Sequence, residues 1–171
     1  MKSLLRITAT SLLLLTASQA QADNAELTHY ERLVVASCLV LEAASEGSEG
    51  MQAVLNVIHN RAEGDITRVM GVVCRPKQFT AMNSATGVRN PDYGPLIERA
   101  TLDRNFSIAY DLVVLMESGQ LEDITGGADH YHADHGEAPI WSASMKPTRT
   151  IGSHTFYQST SADPALLAQV E

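Results

Sequence analysis

Residues 33–43 have the sequence LVVASCLVLEA, which is apolar on nearly every side of a helix. A helix that is apolar all round is buried in a core rather than laid on a surface. Just upstream, Thr28 and Glu31 have the spacing of a capping box, in which each side chain bonds the backbone N–H of the other residue. The sequence therefore predicts a buried central helix that begins after Thr28 and ends at a carboxylate, Glu42.

The rest of the chain predicts an α+β fold that is predominantly helical, with a small sheet near the C-terminus. Apolar residues at helical spacing indicate further helices, and short alternating segments indicate strands. The expected helices span about 48–63, 65–73 and 96–118, and the expected strands are 129–133 (DHYHA) and 151–157 (IGSHTFY).

The N-terminus has the pattern of an export signal. Lys2 and Arg6 precede an apolar stretch, and Ala20-Gln21-Ala22 is typical of a signal-peptide cleavage site. Thr and Ser interrupt the apolar stretch, which is shorter than the ~20 residues that span a bilayer. We expect residues 1–22 to be removed and residues 23–171 to form one periplasmic or secreted domain with no integral membrane segment.

Acidic residues outnumber basic ones, with 20 Asp and Glu against 12 Lys and Arg and a formal net charge of −8. Nucleic acids and anionic membrane surfaces are bound by basic proteins, so the charge argues against both as partners. The sequence has no phosphate loop, dinucleotide fingerprint or nucleophile elbow, and it predicts no cofactor. It carries no information on the oligomeric state.

The chain contains two cysteines, Cys38 and Cys74. In an exported protein we expect them to form a disulfide. The alternative is a pair of buried free thiols, which behave as small apolar side chains. A disulfide would remove the thiolate that a cysteine peptidase requires.

Glu42 is the candidate for acid–base chemistry. Cleavage of a glycosidic bond needs a carboxylic acid that stays protonated near neutral pH, and an apolar environment favours that form. Glu42 follows three apolar residues and lies where the helix meets a loop. The same residues also fit a structural acid that is paired with an arginine or with backbone amides.

Three histidines, His130, His132 and His135, lie within six residues, next to Asp129 and Asp134. Such a cluster is compatible with a zinc site, although its spacing does not match a helix-borne H-E-x-x-H motif. The alternative, which we favour, is a polar strand that lines a cleft and binds sugar hydroxyls. In a strand, His130 and His132 share one face and Tyr131 lies on the other.

Two further side chains are candidates for sugar binding. Trp141 is the only tryptophan and follows Pro139 in a loop, where its ring could stack on a sugar or fill the edge of the core. Gln78 lies in the Pro- and Gly-rich segment 74–95, where its amide could bind an acetamido group.

These pieces, in this order, resemble the SleB-like cell-wall hydrolases, the family of the spore-cortex-lytic enzymes. The first piece, EAASEGSEG at residues 42–50, corresponds to a family pattern close to EARGE-x-x-EG. Ala44-Ser45 replaces the Arg-Gly of that pattern, and Asp129 stands where Thr is common. The other pieces are VIHNR (57–61), Val73-Cys74, Gln78-Phe79, DITGGADHYHA (123–133), Trp141 and IGSHTFY (151–157).

The resemblance implies a lysozyme-related helical bundle whose small antiparallel sheet lines the cleft. It implies cleavage of peptidoglycan glycan strands between N-acetylmuramic acid and N-acetylglucosamine, by a muramidase or a lytic transglycosylase, with no cofactor. Glu42 falls on the catalytic position. The positions expected to bind substrate are Glu49, Gln78, Tyr131, His132 and Trp141. Two other functions remain open, a metal-dependent hydrolase that uses the three histidines and a wall-binding protein without catalysis.

Overall fold

The central helix α1 spans His29–Ala43 and confirms the prediction from residues 33–43. The capping box is present, because the Thr28 hydroxyl accepts from the Glu31 N–H and the Glu31 carboxylate accepts from the Thr28 N–H. Eight residues of α1 are buried, namely residues 34–40 and Ala43. The helix is thus the centre of the main apolar core.

The structure is a computed structural model that describes residues 26–159. The predicted signal peptide lies outside these residues. The remaining helices are α2 (Gly47–Arg61), α3 (Ile66–Val73), α4 (Gly94–Thr101) and α5 (Phe106–Glu117), and the strands are β1 (His130–Ala133), β2 (Lys146–Ile151) and β3 (His154–Gln158). Within residues 26–159, no helix is both long and apolar enough to cross a membrane.

The predicted fold class, a helical domain with a small antiparallel sheet, is confirmed. The three strands lie in the order β1-β3-β2, and both neighbouring pairs are antiparallel. Phe156 in β3 packs with Ala53 and Val57 of α2, and this small cluster attaches the sheet to the helices. The face of the sheet that carries Phe156, here called the inner face, therefore packs against α2.

The single helix predicted over 96–118 is wrong, because the chain forms α4 and α5 with a break at residues 102–105. The Asp103 carboxylate accepts from the Asn105 N–H at 2.8 Å, which is the bond of an Asx turn. Leu102 continues the apolar pattern but is 85% exposed, since it lies in this break.

The strand predicted over 151–157 is also wrong in its extent. Ile151 ends β2, Gly152 and Ser153 form a tight turn, and β3 begins at His154. Gly152 has a φ of 56°, in the left-handed region that two-residue hairpin turns use. The segment is therefore the tip of a hairpin rather than one continuous strand.

Candidate active site

Glu42 lies at the C-terminal end of α1 and is partly buried. Its Oε1 accepts a hydrogen bond from the Ala81 N–H at 2.6 Å, and its Oε2 accepts one from the Tyr131 hydroxyl at 3.2 Å. Ala81 lies in the short 3-10 helix Thr80–Met82, and Tyr131 lies in β1. Each carboxylate oxygen thus accepts from a different side of the site. We call these two sides the 78–82 wall, formed by residues 78–82, and the sheet wall, formed by residues 129–133.

Tyr131 projects from the inner face of the sheet, and its ring stacks on Phe156 with the ring centroids 5.6 Å apart. Burial raises the pKa of Tyr131 well above its usual range, and the nearby Glu42 and Cys38 raise it further. The phenol therefore stays protonated at any physiological pH. As a neutral hydroxyl it can donate to the Glu42 carboxylate.

Arg61, the last residue of α2, contacts both walls. Its Nε donates to the backbone carbonyl of Asp129 at 2.5 Å, and its Nη1 donates to the Gln78 side-chain oxygen at 2.9 Å. Its guanidinium carbon also lies 5.8 Å from the centroid of the Phe79 ring. Arg61 ends the VIHNR motif, and the sequence predicts no role for it in the site.

Glu46 ties the link between α1 and α2 to the β2–β3 hairpin. Its carboxylate accepts from the Ser153 N–H at 3.0 Å and from the Ser153 hydroxyl at 2.6 Å. These bonds lower the pKa of Glu46. A Cβ on Gly152 would collide with the Glu46 carboxylate, and a Cβ on Gly50 would collide with the Glu46 Cβ. A side chain at Gly50 therefore has no room, and one at Gly152 would have to move the Glu46 carboxylate away from Ser153.

Replacing Gly152 with alanine is expected to destabilise the protein by about 1–3 kcal/mol, since the new methyl group would need both a strained φ and the space of Glu46. Gly119→Ala is the matched control, because Gly119 has a φ of 68° but no neighbour within 4 Å of an added Cβ. Urea unfolding of both variants separates backbone strain from the steric conflict. Equal losses of unfolding free energy in the two variants would mean that the steric conflict with Glu46 adds nothing to the backbone strain.

The turn before β1 is organised by Asp123 and by Asn60 of α2. Asp123 accepts from the N–H groups of Thr125 and Gly127 at 2.8 and 2.7 Å. Burial raises the pKa of Asp123, but the hydrogen bonds from Thr125, Gly127 and Asn60 outweigh burial and lower it. Asn60 also donates to the Ala128 carbonyl at 2.9 Å. The VIHNR segment of α2 therefore fixes the start of the strand that carries Tyr131.

Residues 45–157 match the sequence model of the family described as Cell Wall Hydrolase. The chain belongs to this family. The match begins three residues after Glu42 and therefore does not include this residue.

Two solved structures are similar to this cell wall hydrolase. One is the catalytic domain of the germination-specific lytic transglycosylase SleB from Bacillus anthracis, with 24% sequence identity, a TM-score of 0.56, and coverage of 77% of this chain and 97% of that chain. The other is the catalytic domain of the Bacillus cereus SleB protein, with 22% identity, a TM-score of 0.54, and coverage of 81% and 99%. At these identities the likeness establishes a shared fold. No curated protein matches the chain.

A second group of aromatic side chains lies on the outer face of the sheet, the face opposite to Tyr131 and Phe156. Trp141 lies 5.4 Å from His130, 5.8 Å from His132 and 5.5 Å from Tyr157, measured between ring centroids. The His132 Nε2 and the Tyr157 hydroxyl are 3.0 Å apart. Since Tyr131 lies on the inner face, His132 and Trp141 lie on the opposite side of β1 from the Tyr131–Glu42 contact. A role of His132 and Trp141 in substrate binding stays a prediction.

The three clustered histidines do not converge on one point. The His130 Nδ1 lies 2.8 Å from the Asp129 carboxylate, while His132 faces Tyr157 and His135 is exposed beyond the end of β1. Across residues 26–159, no group of three His, Cys, Asp or Glu side chains is placed to hold a metal ion. This arrangement gives no support to the metal-dependent alternative.

Gln78 and Glu49, two other predicted substrate-binding residues, have different surroundings. The Gln78 side-chain oxygen accepts from Arg61, so at least one of its polar atoms has a structural partner. Glu49 is exposed in the first turn of α2 and lines a cavity of about 350 Å³ together with Glu122 and Arg149. Glu42 is not among the residues that line this cavity.

Both cysteines are free thiols in the structure, so the predicted disulfide is not present. Cys38 is fully buried in α1, and Cys74, which directly follows α3, is partly buried. Burial raises the pKa of both thiols. The protonated form is thereby favoured over the thiolate that disulfide exchange requires.

Proposed function

We propose that this hydrolase cleaves the glycan strands of peptidoglycan between N-acetylmuramic acid and N-acetylglucosamine, with Glu42 as the general acid and then the base. The observation that carries the proposal is the pair of neutral donors on Glu42, one from each wall of the site. Among residues 26–159 no cationic side chain forms an ion pair with Glu42. Glu42 is therefore not a structural acid paired with an arginine, although one of its two donors, the Ala81 N–H, is a backbone amide.

The reaction begins when protonated Glu42 gives its proton to the glycosidic oxygen. The bond between that oxygen and the anomeric carbon of the muramic acid breaks, and an oxocarbenium-like centre develops. Glu42, now a carboxylate, takes a proton from the group that attacks this centre. An attack by the muramic 6-hydroxyl gives a 1,6-anhydro sugar, whereas an attack by water gives a reducing end.

We favour the 6-hydroxyl as the attacking group. Hydrolysis by the standard scheme uses a second carboxylate to activate water or to act as a nucleophile. Of the two glutamates nearest in sequence, Glu46 is bonded to Ser153, and Glu49 is an exposed residue on a cavity whose lining does not include Glu42. Attack within the substrate needs only one carboxylate, and Glu42 supplies it. The proposal is consistent with export through the signal peptide predicted at residues 1–22.

The test is the digestion of purified sacculi by the mature protein, followed by mass spectrometry of the soluble fragments. Muramic acid ends that are 1,6-anhydro are expected. Reducing muramic ends would leave glycan cleavage intact and contradict transglycosylation. Binding to sacculi without release of fragments would contradict cleavage and favour a wall-binding protein.

A further inference from the structure

Both hydrogen-bond donors to Glu42 belong to segments that Arg61 holds. Tyr131 comes two residues after Asp129, whose carbonyl accepts from the Arg61 Nε at 2.5 Å. Ala81 comes three residues after Gln78, whose side-chain oxygen accepts from the Arg61 Nη1 at 2.9 Å. One guanidinium therefore bonds both the sheet wall and the 78–82 wall.

We propose that Arg61 is a positioning residue for Glu42, because it sets the separation of the two walls and thereby places the Tyr131 hydroxyl and the Ala81 N–H on the carboxyl group. The inference rests on the proposed function of Glu42. Arg61 has no contact with Glu42 itself, and its effect is transmitted through the two segments that it bonds.

The chemistry of arginine suits this role. Its planar guanidinium presents donors in a fixed fork, so two acceptors bound to it are held at a defined distance and angle. A lysine ammonium is a single point on a flexible stem and cannot reproduce both bonds at once.

The surroundings of Arg61 distinguish it from an ordinary structural arginine. Within residues 26–159 no carboxylate forms an ion pair with Arg61, whereas Arg32 pairs with Glu117 at 2.6 Å. Burial lowers the pKa of Arg61, and Tyr131 and Asp129 oppose that effect. A buried charge without a direct ion pair is costly to the fold, and the two hydrogen bonds of Arg61 to the walls of the site offset that cost.

The first test compares Arg61→Lys with Arg32→Lys in steady-state cleavage of soluble glycan fragments. Arg61→Lys is expected to lower kcat about 10- to 100-fold with little change in KM, because the catalytic group is misplaced while the substrate still binds. Arg32→Lys removes the fork of a remote structural ion pair and is expected to leave kcat per folded molecule unchanged. A wild-type kcat in Arg61→Lys, or equal losses in both variants, would overturn the inference.

The second test uses Gln78, which keeps the inference falsifiable if Arg61→Lys fails to fold. Gln78→Ala removes one acceptor of Arg61 and is expected to lower kcat, while Gln78→Glu keeps an acceptor and is expected to restore most of it. If Gln78 instead binds sugar, Gln78→Ala raises KM and leaves kcat intact, which contradicts the inference. In the double variant Arg61→Lys/Gln78→Ala, the two losses of kcat are not expected to add, because both changes break the bond between Arg61 and Gln78.

Failure of this inference is distinguishable from failure of the proposed function. If Glu42→Gln is inactive and Arg61→Lys is fully active, Glu42 is catalytic and Arg61 does not position it. If Glu42→Gln is as active as the wild type, Glu42 is not the general acid, and the positioning role proposed for Arg61 is contradicted as well.

Discussion

Glu42→Gln is expected to lower the rate of glycan cleavage by about 10²- to 10⁴-fold, the usual contribution of a general acid or base. The amide has nearly the shape of the carboxyl group and can still accept a hydrogen bond from the Ala81 N–H or the Tyr131 hydroxyl. It can neither give a proton to the leaving oxygen nor take one from the attacking hydroxyl. The rate of fragment release from sacculi, measured at equal concentrations of folded protein, is the readout.

Glu98→Gln is the matched control for this experiment. Glu98 is an exposed glutamate on α4 with no place in the proposed mechanism, so its neutralisation changes the net charge by the same amount. The control is expected to retain wild-type activity. Activity in Glu42→Gln that equals the activity of Glu98→Gln would contradict the assignment of Glu42. A loss of activity in both variants would point to net charge rather than to chemistry.

Phe156→Ala is expected to destabilise the protein by about 3–5 kcal/mol, the range for removing a fully buried phenylalanine. Phe156 is 1% exposed and is the largest member of the cluster that attaches the sheet to α2. Its ring also stacks on Tyr131. The change leaves a cavity at that junction and frees the Tyr131 ring, so we expect the remaining folded protein to cleave glycan more slowly as well.

Phe106→Ala provides the comparison for this second prediction. Phe106 begins α5, is only partly buried and packs against the main core rather than the sheet. Its loss is expected to cost less free energy of unfolding and to leave kcat per folded molecule unchanged. Urea denaturation gives the stabilities, and cleavage assays well below the unfolding midpoint give kcat. If both variants lose the same stability and neither loses kcat, the sheet does not depend on Phe156 to hold Tyr131.

The elements with strong local signals were predictable from the sequence. The capping box at Thr28 and the apolar run that follows it locate α1, and Gly64 marks the end of the second helical segment with a φ of 75°. The break between α4 and α5 was missed because the apolar pattern continues through Leu102 while the Asp103 side chain ends the helix. The hairpin at Gly152 was missed because residues 151–157 alternate like a single strand.

The site was predictable only where a side chain carries the chemistry. Glu42 and Tyr131 have sequence signals, and the structure brings them together. The Ala81 N–H has none, because every residue except proline offers a backbone donor. Arg61 was missed since its main acceptor is a carbonyl, which leaves no complementary residue type in the sequence. Tyr131 and His132 are adjacent in a strand, so their side chains lie on opposite faces of the sheet.

The outer aromatic group gives the protein a built-in optical reporter. Trp141 is the only tryptophan in the chain, and it is surrounded by His130, His132 and Tyr157 rather than by Glu42 and its donors. Its fluorescence emission therefore arises from one side of the sheet alone. A glycan that contacts only the Glu42 side should leave that emission unchanged, whereas a strand that also passes over the outer face should shift or quench it. The position of one indole thus makes the path of the polymer across the sheet a measurable quantity.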